Sequence, residues 1–268
     1  MNHPTAPAEH LLLLACDFTR HNDALTRIRL TDSSPTTALT QQVDSTQHLA
    51  DSALHIVDIL NAQSMHHSPA IYTVYARVKQ LAQLTTDASG HLLDAVDILD
   101  LARAGIPLPD GGPLLTYQQA VGEAGSRLAL VRNLTALGAP DAFTTAEVFV
   151  TERRRQGARP THQPPTLSYA QEAALRAVAQ GKVTIAGGKP YLRSDDLRVS
   201  ISTIRSLEGR GLVSREPCPL RLQAERVRLT ADGCQGLAAA FGRPRAPALT
   251  AARPSTSLSA KATRAATR

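Results

Sequence analysis

Ser200-Ile-Ser-Thr-Ile-Arg-Ser-Leu-Glu-Gly-Arg-Gly-Leu-Val213 is the stretch that decides how the chain is read. Ile201, Ile204 and Leu207 recur every three residues, so they share one face of a short helix. Ser202, Thr203, Arg205 and Ser206 fall on the other faces, and each can hydrogen-bond. Ser200 or Ser202 can cap the start, while Gly209 and Gly211 supply the backbone that ends a helix. Leu212-Val-Ser-Arg-Glu216 then reads as a strand. A short helix with an apolar back and a hydroxyl-and-arginine front suits a DNA groove.

Working outward, Ser168 caps a predicted helix running through Gln180. Lys182–Ile185 and Pro190–Arg193 read as short strands across a Gly187-Gly188 turn. Beyond Glu216, Pro217–Ala224 is a loop and Glu225–Leu229 a returning strand. Thr230 caps a last helix, Ala231–Phe241. The succession of helix, strand, helix, hairpin and helix resembles the winged helix-turn-helix domains of bacterial transcription regulators, including the multiple-antibiotic-resistance regulator class. The resemblance rests on Ser200 with Ser202-Thr-Ile204, on Leu207-Glu-Gly-Arg-Gly-Leu-Val213, and on Arg228-Leu-Thr-Ala-Asp-Gly233, and it covers residues 167–241 only. One departure is visible: strand-like Val183–Arg193 and Ser194-Asp-Asp-Leu197 stand where the family has the helix preceding its recognition helix. The resemblance implies that Ser202, Thr203, Arg205 and Ser206 face the major groove of double-stranded DNA. It implies that Arg215, Arg221 and Arg226, in and beside the wing, reach phosphates or the minor groove. Only Arg205 is a candidate base reader, because arginine can grip a guanine edge at two points whereas phosphate contacts position without specifying.

Charge is divided along the chain in the same sense. Residues 1–150 carry a balance of −7, residues 151–166 +3, residues 167–241 +4 and residues 242–268 +6. Only the second half is therefore expected to seek a polyanion. Residues 242–268 hold six basic side chains, no acid and much Ala, Pro, Ser and Thr, a composition that predicts disorder. Gln156–Thr166 holds three prolines and no apolar periodicity, so residues 157–166 read as a linker.

The first half predicts five helices after a disordered start over Met1–Ala8. Leu11, Leu14, Phe18 and Leu25 give the first its apolar face. The second spans about Thr37–Met65, with Val43, Ala50, Ala53, Leu54, Val57 and Leu60. The third begins at Pro69, and Ser89-Gly90 leaves its continuation to Ala104 open. Gly105–Pro113 is a break, the fourth helix runs from about Leu114 to Leu137, and the fifth starts near Asp141 or Thr144 and ends in Glu152-Arg-Arg-Arg155. Long helices with short connections predict a bundle over residues 9–156. The fold class expected is thus mainly α: a helical bundle, a small α+β winged helix-turn-helix domain and a disordered basic tail.

Other residue patterns bear on metal and catalytic chemistry. His48, Asp51, His55 and Asp58 have the spacing of metal ligands on one helix, with His91, Asp94, Asp97 and Asp100 on the next. Leu49, Ala53, Ile56, Val57 and Leu60 occupy the opposite arc, so these polar groups are expected to face water. Gly187-Gly188-Lys189-Pro190 lacks the spaced glycines and the Ser/Thr of a phosphate loop. No Ser/His/Asp or Cys/His signature appears, so neither catalytic residues, nor a metal, nor a cofactor is expected. Cys16, Cys218 and Cys234 are too far apart in sequence for a metal knuckle and are expected to be free thiols of a reducing compartment. Leu13-Leu-Ala-Cys16 resembles a lipoprotein cleavage box, but no Lys or Arg precedes it. The location expected is the cytoplasm, at the nucleoid if DNA is bound, with no membrane association. A homodimer or a protein partner on the bundle completes the expectation. The alternative function is a protein-interaction adaptor that uses both parts without nucleic acid.

Overall fold

The structure, a computed structural model, describes residues 7–109, 112–158, 165–192, 199–218 and 224–243. Arg221, Ser194–Leu197, the centre of the proline-rich stretch and nearly all of the basic tail lie outside the described residues. The chain is mainly helical, with one small antiparallel sheet that follows the long helices.

Five helices come first: α1 (Pro7–Leu25), α2 (Pro35–Asn61), α3 (Pro69–Ala104), α4 (Tyr117–Thr135) and α5 (Gly138–Arg155). The order starts earlier than expected, because Pro7 and Ala8 already belong to α1 and Ala8 is buried. α2 starts at Pro35, which the sequence marks as a break; proline at the first helical position gives up a backbone donor that would be unpaired there anyway. Leu54, counted among its apolar face, is half exposed. α3 runs unbroken for 36 residues, and Gly90 sits exposed within it. α5 begins at Gly138, ahead of the expected start, and Thr144 does not cap it: its Oγ1 donates to Pro140 O at 2.8 Å from inside the helix.

α3 serves two cores. Its first half, through Ile71, Val74, Val78 and Leu81, packs into a large cluster with α1, α2 and α5. Its second half, through Leu92, Ala95 and Leu99, packs with Leu39 and Val43 of α2 and with Ala120, Ala124 and Leu128 of α4. Thr85 is fully buried at the changeover, its hydroxyl turned back to Leu81 O and Ala82 O at 2.9 Å each. That local bond removes the cost of burying a hydroxyl.

After Leu167 come α6 (Tyr169–Ala179), β1 (Val183–Ala186), β2 (Lys189–Leu192), α7 (Ile201–Gly209), β3 (Val213–Cys218), β4 (Ala224–Leu229) and α8 (Ala231–Ala240). Ser168 and Gln171 form a reciprocal capping box at the start of α6. β1 and β2 are joined by the two residues Gly187 and Gly188, with φ of 56° and 72°. Both lie in the left-handed region that a tight hairpin of this kind requires. The strands lie in the order β2-β1-β4-β3, every pair antiparallel.

The two parts that the proline-rich stretch separates in sequence are packed together. Leu175, Val178, Ile204, Leu207, Val227, Leu237 and Phe241 belong to the same buried cluster as Leu11, Leu12 and Phe143. Phe143 and Phe241 meet edge to face with centroids 5.5 Å apart, a favoured aromatic geometry. Arg176 lies over both rings and pairs with Glu147 at 2.7 Å and Glu172 at 3.2 Å. Pro165, at the end of the expected linker, lies against Gly236 of α8. Among the described residues no helix is long and apolar enough to cross a membrane.

Candidate nucleic-acid interface

α7 begins where local chemistry dictates. The Ser200 hydroxyl accepts the Thr203 backbone N–H at 3.1 Å and lies 2.8 Å from the hydroxyls of both Ser202 and Thr203. Ser200, rather than Ser202, is therefore the cap. Ile204 and Leu207 are fully buried, whereas Ser202, Arg205 and Ser206 are exposed and Thr203 and Ile201 are partly so. The apolar back and polar front predicted for this helix are thus present.

The exit from α7 explains a motif. Gly211 N–H donates to Glu208 O at 2.8 Å and Leu212 N–H to Leu207 O at 3.0 Å, closing the helix and turning the chain into β3. Thr230 then ties the end of α7 to the start of α8: its hydroxyl donates to Gly211 O at 2.5 Å and accepts Gly233 N–H at 3.0 Å. Its backbone N–H donates to Leu212 O at 3.2 Å. A Cβ at Gly233 would overlap that same Leu212 carbonyl. Leu229-Thr-Ala-Asp-Gly233 therefore needs its threonine as a two-way clamp and its glycine for close approach.

The cations sort into two sets. Arg205 is exposed and makes no hydrogen bond or ion pair among the described residues; Arg210 and Lys189 are also exposed, and Arg210 donates to Thr166 O at 2.8 Å. Ser206 accepts the Gln171 side-chain N–H at 2.9 Å, so α6 and α7 touch at the capping-box residue and the Ser206 O–H is left to donate outward.

Two of the residues expected at phosphates are turned to internal use. Arg226 is 3% exposed and bonds Asp23 of α1 at two points, Nε to Oδ2 at 2.9 Å and Nη2 to Oδ1 at 2.6 Å; its Nη1 also donates to Gly181 O at 2.8 Å. Register is the reason: β4 is a central strand, and alternation puts Arg226 and Arg228 on the face covered by α1. Arg215 is held by Glu208 of α7 through Nε and Nη2, and its Nη1 donates to Glu225 of β4 at 3.1 Å. The Glu208 hydrogen bonds push its pKa above the ordinary arginine value, with Glu225 adding to them. Its charge is matched before any ligand arrives.

Arg228, first of the Arg228–Gly233 motif but not among the expected site residues, completes a chain of charges under β3 and β4. Its Nη1 donates to Cys16 O at 3.2 Å, its Nη2 lies 3.8 Å from Asp23, and its Nε lies 2.8 Å from Glu216 Oε2, at an angle too bent for a hydrogen bond. Burial pulls its pKa below the usual value, with Glu216 opposing. Glu216 in turn meets Arg20, which pairs with Asp17 at 2.6 Å. The Cys16 and Cys234 thiols, 218 positions apart in the chain, are hydrogen-bonded between α1 and α8, and all three cysteines are free and buried. The Cys16 bond and burial together push the Cys234 thiol up.

The other constellation stays on the surface except for His91, which is partly buried. His48, Asp51, His55 and Asp58 are all exposed, as are Asp94, Asp97 and Asp100. Among the described residues no group of three or more His, Cys, Asp or Glu side chains is arranged to hold a metal ion. Comparison with protein families, with curated proteins and with solved structures gives no match.

Proposed function

We propose that the chain is a bacterial DNA-binding protein, a transcriptional regulator, that docks on double-stranded DNA through α7. In this reading residues 167–241 work as a winged helix-turn-helix module, with the β3–β4 hairpin as wing. The long helices work as a bundle that supplies a dimer or partner contact. One observation carries it: Ser202, Arg205 and Ser206 stand exposed on one helix whose opposite face is sealed by Ile204 and Leu207. An α-helix, about 10–12 Å across with its side chains, is admitted by a major groove about 12 Å wide. Internal pairing of Arg215 and Arg226 moves the burden of phosphate contact to Arg210, Lys189 and the undescribed Arg221.

The test is a mobility-shift assay with genomic fragments at about 50 and about 200 mM salt, where phosphate-driven binding weakens steeply. Retardation at low salt is expected, and Arg205→Ala should relax preference at one base by about 1–3 kcal/mol. Absence of any shift at low salt, or an Arg205→Ala chain that binds and discriminates like the parent, overturns the reading. A point variant is required because α6–α8 share a core with α1, so a chain cut after α5 would expose that core.

A second reading, a protein-interaction adaptor, draws on the same surface. Tyr169, two residues from the Gln171 that touches α7, is 68% exposed, and Arg176, Arg215, Arg226 and Arg228, four of the six arginines among the described residues of this part, are already paired. A stoichiometric protein co-purifying free of nucleic acid favours it.

A further inference from the structure

A cavity of about 1120 Å³ opens between the C-terminal half of α3, the segment after it and the facing side of α4. Its apolar floor comes from Ile98 and Leu101 of α3 together with Ile106 and Leu115. Among its described residues, Ile106 N–H donates to Leu101 O at 2.9 Å and Leu108 N–H to Pro113 O at 3.3 Å. Ile106 stays half exposed at the mouth, so apolar surface faces the opening instead of the core.

The rim is anionic. Asp94, Asp97 and Asp100 descend α3 at three-residue spacing and Glu123 faces them from α4; Arg127 is the one cation among the lining residues. Arg127 is divided between Asp94 at 3.3 Å and Glu123 at 3.5 Å, and Asp100 pairs with Arg103 at 2.7 Å. Asp97 makes no hydrogen bond or ion pair among the described residues and is exposed. Four carboxylates against the two guanidiniums of Arg127 and Arg103 leave the rim with a net negative charge beside an apolar floor.

We infer that this cavity binds an amphiphilic organic cation, its apolar body on Ile98, Leu101 and Ile106 and its positive centre against Asp97. Sites of this size take small molecules with an apolar lining and a few placed polar groups, and a carboxylate beside low-dielectric walls acts more strongly than one in open water. A simple metal cation would gain nothing from the floor, and a neutral apolar molecule nothing from the rim. The assignment does not depend on what α7 binds.

The experiment is calorimetric titration of the full chain with two probes of matched shape and opposite charge, tetraphenylphosphonium and tetraphenylborate. The phosphonium should bind and the borate should bind at least tenfold more weakly. Asp97→Asn, whose side chain supports no other group, should weaken the phosphonium roughly fivefold, the upper range for one exposed charge pair, with an unchanged melting temperature. Ile106→Ser should weaken it as well. Equal binding of the two probes overturns the inference, as does an Asp97→Asn chain that binds the phosphonium like the parent. Displacement of the phosphonium only by a basic peptide that binds more tightly also overturns it, in favour of a protein partner.

Discussion

Asp23 on α1 and Arg226 on β4, 203 positions apart in the chain, form a buried two-point ion pair that joins the long helices to the sheet. Both residues are more than nine-tenths buried, and the third Arg226 nitrogen, Nη1, donates to Gly181 O. A pair this dry returns little net stability against replacement by apolar groups, but removing one partner strands the other charge. Asp23→Ala should therefore lower the unfolding free energy by about 3–5 kcal/mol, whereas the double change Asp23→Leu with Arg226→Met should cost much less. Urea unfolding of the two variants checks this; equal losses in both would refute it.

His21 gives the chain an acid sensitivity. It is 2% exposed, with Nδ1 3.1 Å from Ser45 Oγ and Nε2 3.4 Å from Thr46 Oγ1, and burial lowers its pKa from 6.5 to about 4. Between those two values the unfolded chain takes up a proton that the folded chain refuses. The contribution is thus complete above about pH 6.5 and is lost as pH falls toward 4, with about 2 kcal/mol of it gone by pH 5. His21→Gln should flatten this part of the stability-versus-pH curve; an unchanged slope in that variant sinks the assignment.

Gly90 in the middle of α3 has nothing within 4 Å of where a Cβ would stand. Alanine there narrows the unfolded ensemble without touching a neighbour, so Gly90→Ala should raise stability by about 0.5–1 kcal/mol. A shift of the denaturation midpoint to higher urea with the same slope is the expected result. No shift, or a lower midpoint, would mean that the glycine has a role the geometry does not show.

Much of the second half was legible in sequence because its signals are local. Ser168, Ser200 and Thr230 cap helices that begin where predicted, and Gly187-Gly188 turns the chain between the strands assigned to its flanks. The burial of Ile204 and Leu207 beneath Ser202, Arg205 and Ser206 follows from a period of 3.6 residues and needs no knowledge of what lies underneath. The outward face of His48, Asp51, His55 and Asp58 was readable on the same ground.

What the tertiary structure alone decided is where the charges go and how the two parts sit together. Arg205 and Arg226 look alike in sequence; one is exposed and unpaired among the described residues, the other sealed against Asp23. Whether α3 breaks at Gly90 depends on the two cores that hold its halves, and whether Pro165 marks a loose tether depends on α8 lying against it. Helix phase, caps and tight turns are set by interactions within a few residues, so the sequence determines them directly. An ion pair closes across 203 positions only after the whole chain has brought α1 over β4, and no local pattern records that meeting.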